Sequence, residues 1–138
     1  MSYSKNDNII LLVSLIAVSL AATILGPYKA HPAFAATVDV SIPNGASTNH
    51  MNGFDPKEIN IKVGDTVKWT NNDIALHTVT SGKDRSDPNK GKEFNSGLTF
   101  PDVLTTAGRT FQHTFTTAGT FPYFCQVYPG MVGKVIVK

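Results

Sequence analysis

A single cysteine in 138 residues is the sharpest shortage in this sequence. One thiol cannot close a disulfide within the chain, so Cys125 is an inert core residue, half of an intermolecular bridge, or a ligand. Charge is scarce too: charged residues make up 16% of the chain, and 12 Lys and Arg stand against 10 Asp and Glu with no basic block. Without such a block, or basic residues interleaved with aromatics, a nucleic-acid partner is excluded. Ser-His-Asp, paired-carboxylate and phosphate-loop arrangements are also missing, which leaves no carrier for hydrolytic or phosphoryl-transfer chemistry. After the N-terminal leader no window has helical period, and no internal repeat is visible.

The leader differs from the rest. Lys5 precedes an uncharged run from Ile9 to Leu25, followed by Gly26-Pro27 and a small-residue stretch. Ala33-Phe34-Ala35 fits a small-x-small cleavage site, which predicts a mature chain starting near Ala36. The run is a little long for a signal core and short against the ~20 residues of a membrane span. Residues 1–35 are therefore read as a cleaved export signal or, alternatively, an uncleaved membrane anchor. Both place the domain of residues 36–138 on the extracytoplasmic side, secreted, periplasm-like or anchored.

That domain reads as all-β. Thr37–Ile42, Glu58–Val63, Thr66–Thr70 and Thr110–Phe115 alternate apolar and polar residues with period two. Gly64-Asp65 predicts a hairpin turn between the second and third of these runs. Asn71-Asn72-Asp73 closes the Trp69 strand and His77-Thr78-Val79-Thr80 opens another. Residues Ser81 to Gly97, rich in Gly, Ser, Asp, Asn and Lys with Pro88, predict a long surface loop. Thr117-Ala118-Gly119 turns into Thr120–Cys125, and Val132 to Lys138 closes the chain. Seven to eight short strands with regular turns predict a Greek-key β-sandwich. Its expected inward residues are Val38, Val40, Ile59, Ile61, Val67, Trp69, Phe111, Phe115, Tyr123 and Val135.

The most informative segment is Tyr123-Phe124-Cys125-Gln126-Val127-Tyr128-Pro129-Gly130-Met131. Here a strand empties into a turn-forming loop at Cys125, a place that metal ligands favour. This segment resembles the copper loop of the cupredoxins, the small blue copper proteins, whose short form is Cys-x-x-His-x-x-Met. Lys62–Asn71 is similar to the strand pair before that family's first histidine, His77-Thr78-Val79 to the histidine itself, and Phe115–Cys125 to the hairpin that delivers the cysteine. His77 lies 48 residues before Cys125. The resemblance covers essentially the whole body of the chain.

The resemblance implies one copper ion cycling between Cu(I) and Cu(II), with His77 as an imidazole ligand, Cys125 as the thiolate and Met131 as the weak axial sulfur. Soft sulfur suits Cu(I), and imidazole suits Cu(II). Each has a bland alternative: His77 as a loop histidine, Met131 as a filler of the barrel end, Cys125 as core. Tyr128 stands where the family has its second histidine. A phenol with an ordinary pKa near ~10 binds only if the metal displaces its proton. Tyr128 therefore coordinates as phenolate, swings away to leave an open three-ligand site, or marks a fold that has lost its metal. The pKa favours the open site over the phenolate. His113, on the inward face with Phe111 and Phe115, is a possible substitute ligand, against the simpler reading of a hydrogen-bonded, semi-buried histidine. His50 is expected to be solvated, able with Met51 to bind a surface metal weakly, and His31 belongs to the leader.

Two functions follow from the resemblance. The first is an exported electron carrier with a modified type 1 copper site serving a redox-protein partner, which would dock on a patch made by Tyr128, Pro129, Gly130 and Val132. The second is a copper-binding or copper-delivery module, or a metal-free binding domain, that kept the fold without the redox role. Only the missing histidine would support an enzyme acting on a small ligand at open copper.

Overall fold

The computed structural model describes residues 34–98 and 103–138, the side chain of Met51 excepted; the expected leader falls almost wholly outside these residues. The alternating runs form strands with one buried face. They are β1 (Thr37–Ile42), β2 (Glu58–Ile61), β3 (Thr66–Asn71), β4 (Thr80–Ser81), β5 (Thr110–Thr114), β6 (Gly119–Phe124) and β7 (Val132–Val137). A short 3₁₀ turn occupies His50–Asn52. The strands make two sheets, ordered β1-β3-β5 and β2-β7-β6-β4. β1 runs parallel to β3 and β2 parallel to β7, while the other pairings are antiparallel. Among the described residues the result is an all-β sandwich of seven strands, as the alternation predicted.

Two apolar faces that alternate with period two can be removed from water by placing one sheet over the other. Val40, Ile42, Val67, Trp69 and Phe115 come from one side and Ile59, Ile61, Tyr123, Val135 and Val137 from the other. Trp69 anchors the centre, stacked on Phe94 at 5.4 Å between ring centroids and edge-on to Tyr123 at 5.4 Å. Of the expected inward residues only Val38 and Phe111 stay half-buried.

Several connections depart from expectation. Gly64-Asp65 does not close a hairpin, because β2 and β3 belong to different sheets. A turn signal specifies reversal of the chain, not the strand that accepts its hydrogen bonds. Here the Asp65 carboxylate accepts the N–H groups of Lys62 and Ala36, each at 2.8 Å, which makes the turn a corner between sheets. The Thr117–Gly119 turn likewise carries the chain from β5 in one sheet to β6 in the other, so the hairpin that presents Cys125 is β6–β7. The expected strand at His77 starts only at Thr80, with His77 on an isolated bridge to Leu104. The long loop of residues 81–97 runs over the surface but sends Phe94 into the core.

Gly133, in β7, sits directly under the Tyr123 ring, and a Cβ there would overlap the ring and its hydroxyl. Overpacking a well-filled core costs about 1–3 kcal/mol. Gly133→Ala is therefore expected to lower the free energy of unfolding by about that amount; an unchanged urea midpoint would show that the ring has room to move.

Candidate metal centre

The β6–β7 ladder ends with Phe124 opposite Val132, and the chain between them forms the loop of Cys125 to Met131. Cys125 N–H donates to the Met131 carbonyl at 3.0 Å, and Met131 N–H donates to the Tyr128 carbonyl at 2.9 Å. Both sulfur side chains start from the closed neck of this loop and are fully buried. The chain segment before β2 approaches closely at Gly53, where a Cβ would overlap the Met131 side chain. Across the loop, Arg85 donates from Nε to the Gln126 carbonyl at 2.8 Å and from Nη2 to the carbonyls of Gln126 and Val127. The backbone of the loop is thus held at its neck and on one flank.

The Cys125 sulfur collects donors. Thr78 N–H lies 3.4 Å away, Tyr128 N–H 3.5 Å and the Thr78 hydroxyl 3.9 Å. Burial pushes the thiol pKa up, but the contact with His77 and the backbone N–H groups outweigh it and hold it below the ordinary value. Such a sulfur is prepared to be a thiolate, the form that binds metals.

His77 is completely buried and hydrogen-bonds through Nε2 to the Asp73 carboxylate at 2.9 Å. An ionised carboxylate only accepts, so Nε2 carries a proton and Nδ1 is the ring nitrogen turned to the Cys125 sulfur. That Nδ1 lies 3.9 Å from the Cys125 sulfur. Burial works against a charged ring, yet Cys125 and Asp73 together raise the His77 pKa above its usual value. Asp73 is itself 1% exposed and accepts the N–H groups of Gly45 (3.1 Å), Ser47 (2.9 Å) and Ile74 (2.9 Å). Burial opposes its ionisation, but the hydrogen bonds from His77, Ser47 and Gly45 hold its carboxyl far below the usual range.

Tyr128 is half-buried, and its ring centroid lies 5.1 Å from that of His77. On Tyr128 also rests His50, at 5.3 Å between centroids. The expectation of a solvated His50 is therefore corrected: the ring is half-buried, with Nε2 2.8 Å from the Ser47 carbonyl. Asp73 causes this, since its grip on the Gly45 and Ser47 amides draws the polar segment onto the loop. His113 is not brought to this cluster. Its ring meets Phe94 and Phe115 at 5.2 and 4.8 Å, and its Nε2 lies 3.4 Å from Glu93.

A sequence reading passes over Asp73, because a carboxylate four residues before a histidine carries no rule outside a helix. The same holds for Thr78 and Arg85, whose roles depend on folded neighbours.

The donor set fits copper. Ligand bonds of about 2.0 Å to nitrogen and about 2.3 Å to sulfur, the lengths known for zinc, sum to more than the 3.9 Å between His77 Nδ1 and Cys125 Sγ. One ion can therefore touch both. Among the described residues no group of three or more His, Cys, Asp and Glu is arranged for a metal; the fully buried Met131 at the same loop neck carries a thioether, the kind of donor that soft copper takes.

Comparison with known proteins leads the same way. The family of copper-binding proteins that comprises plastocyanin and azurin matches residues 40–138. A chloroplastic plastocyanin of Tetradesmus obliquus is 33% identical over 125 residues, covering 89% of this chain and 81% of that protein. Amicyanin of Paracoccus versutus is 33% identical over 85 residues, covering 59% and 54%. Among solved structures, the novel purple cupredoxin from Nitrosopumilus maritimus superposes with a TM-score of 0.57 at 33% identity, covering 73% of this chain and 99% of that one.

Removing Asp73 orphans three backbone N–H groups and frees the His77 ring. Asp73→Ala is expected to destabilise the metal-free protein by about 1.5–3 kcal/mol in urea unfolding, with Asp73→Asn milder because one acceptor oxygen survives. A loss below ~0.5 kcal/mol for the alanine variant, the size of an ordinary surface substitution, would show that the carboxylate does not hold the site together.

Proposed function

The chain belongs to the plastocyanin/azurin family of copper-binding proteins, and we propose that it is an exported one-electron carrier whose copper is held by Cys125, His77 and Met131. As a cupredoxin it binds one copper ion and carries electrons; it is not an enzyme. The single observation that carries the proposal is His77 Nδ1 facing the N–H-cradled Cys125 sulfur at 3.9 Å, with Met131 buried at the same loop neck.

The bound ion supplies a one-electron couple between Cu(I) and Cu(II). The residues keep the cost of that change low. Cys125 is fixed by the ladder and by the N–H groups of Thr78 and Tyr128, His77 by Asp73, and Met131 by Gly53 and the loop neck. Ligands that cannot move when charge changes leave little to reorganise. Water is kept out on the sulfur side, where Cys125, Met131 and His77 are all fully buried. The half-buried Tyr128 and the exposed Pro129 and Gly130 form the outward edge. This edge is where a redox-protein partner would dock; Ile74, next to Asp73 in the chain, is a further apolar side chain, 86% exposed. The leader reading supports an extracytoplasmic location, cleaved or anchored.

One observation favours a second reading. Tyr128 fills the place of the family's second histidine, so the chain could serve as a copper-delivery or metal-free module. The two readings separate on adding Cu(II) to the full-length protein. The electron carrier gives an intense thiolate-to-copper absorption band that bleaches reversibly with one equivalent of reductant and is abolished in Cys125→Ser. Absence of the band, with the Cys125 thiol still open to alkylation, would overturn the carrier.

A further inference from the structure

We propose that Arg85 is a positioning residue for electron transfer: through its forked side chain the long loop of residues 81–97 holds the Cys125 side of the Cys125 to Met131 loop in place. This rests on the copper-carrier reading above. Arg85 is exposed and belongs to a polar segment far from Cys125 in the sequence, yet three sets of bonds tie it to the thiolate's setting.

The first set is the fork. The bonds from Cys125 N–H to the Met131 carbonyl and from Met131 N–H to the Tyr128 carbonyl close the neck. The carbonyls of Gln126 and Val127 lie outside that closure, and Arg85 takes both. Its Nε donates to the Gln126 carbonyl at 2.8 Å, and its Nη2 donates to the same carbonyl and to that of Val127, the latter at 3.4 Å. Directed donors on adjacent carbonyls fit a rigid planar guanidinium, which the point charge of a lysine cannot imitate. Among the described residues no carboxylate forms an ion pair with Arg85, so nothing draws the fork away from the loop.

The second set surrounds Gln126, the residue next to the thiolate. Its N–H donates to the Thr78 hydroxyl at 2.7 Å, and its side-chain amide donates to Thr80 Oγ1 at 2.9 Å and Asn95 Oδ1 at 3.2 Å. Asn95 lies on the same long loop as Arg85, so that loop grips Gln126 from its side chain and from its carbonyl. Thr78 in turn places its N–H 3.4 Å and its hydroxyl 3.9 Å from the Cys125 sulfur. A shift of Gln126 therefore reaches the sulfur by two routes, along the chain and through Thr78.

The third set makes the holder firm. Phe94 is buried in the core, Ser81 N–H donates to the Phe94 carbonyl at 3.0 Å, and Gly91 N–H donates to the Ser81 carbonyl at 2.7 Å. Around Arg85 itself, Asp84 accepts the Ser86 N–H at 2.7 Å, Asp87 accepts the Lys83 N–H at 2.9 Å, and Lys90 Nζ donates to the Arg85 carbonyl at 2.6 Å. The fork thus extends from a braced turn, and it fixes the one flank of the thiolate loop that the neck leaves open.

The test compares Arg85→Met, Arg85→Lys and the control Lys83→Met in the full-length protein. In the metal-free state, alkylation of Cys125 by iodoacetamide at fixed pH reads how often the loop opens. It should quicken about tenfold in Arg85→Met, the scale set by hydrogen bonds to a charged donor, and nearly as much in Arg85→Lys, which keeps the charge without the fork. Lys83→Met removes a neighbouring cation that has no hydrogen bond to the Cys125 to Met131 loop, and should match the unaltered protein. With Cu(II) bound, both Arg85 variants should show a broadened, shifted thiolate-to-copper band and slower electron self-exchange, at urea midpoints close to the unaltered value. Unchanged alkylation in Arg85→Met, quicker alkylation matched by an equal fall in global stability, or a fully retained band and self-exchange rate overturns the clamp and leaves the carrier standing. Arg85→Lys behaving as the unaltered protein overturns the fork. Absence of any band in the unaltered protein overturns the carrier and, with it, the part of Arg85 in electron transfer.

Discussion

The buried carboxylate of Asp73 is the interaction on which the rest of the centre depends. A carboxylate removed from water is costly unless every lone pair finds a donor, and Asp73 finds four: one imidazole and three backbone amides. Together these bonds fix three parts of the protein. His77 is turned so that Nδ1 faces the sulfur, the turn after β3 is closed through Ile74, and the segment after β1 is drawn in through Gly45 and Ser47. Without that charge the three segments would have no common partner, since apolar packing alone does not specify which polar loop rests on which.

Between sulfur and nitrogen the centre divides into a fixed side and an adjustable one. Cys125 and Met131 are set by an antiparallel ladder, and the sulfur of Cys125 is surrounded by amide donors that lower its pKa despite burial. Tyr128 and His50 lie at the half-exposed edge, where little of the core restrains a ring. This division matches the needs of the chemistry. In the proposed centre the soft sulfurs would set the preference for copper, while the rings at the edge would face solvent and a redox partner.

How much of this was legible in the sequence follows from the range of the interactions involved. Period-two alternation gave the strands and nearly all of the core, because it reports only which face of a strand is buried. The same alternation is silent on partner choice, so Gly64-Asp65 and Thr117–Gly119 were read as hairpins when both carry the chain between sheets. Cys125, Tyr128 and Met131 lie within one short loop, and the resemblance placed them together with His77. Asp73 was read as a strand end and His50 as solvated, because the contacts that bring His50 to Tyr128 run through backbone amides, which carry no side-chain signature.

The bond from Cys125 N–H to the Met131 carbonyl has a consequence for how such a protein can change over time. It makes the apex of the loop a graft on a finished sandwich: residues 126–130 can be exchanged while the strands on either side keep their register. A replacement at position 128, whose half-buried side chain packs at the margin of the core, would act first on the rim of the proposed centre and less on the strands that keep the chain folded. Divergence of function in this chain is thereby decoupled from the risk of unfolding, and one codon at the tip of a hairpin is enough to explore it.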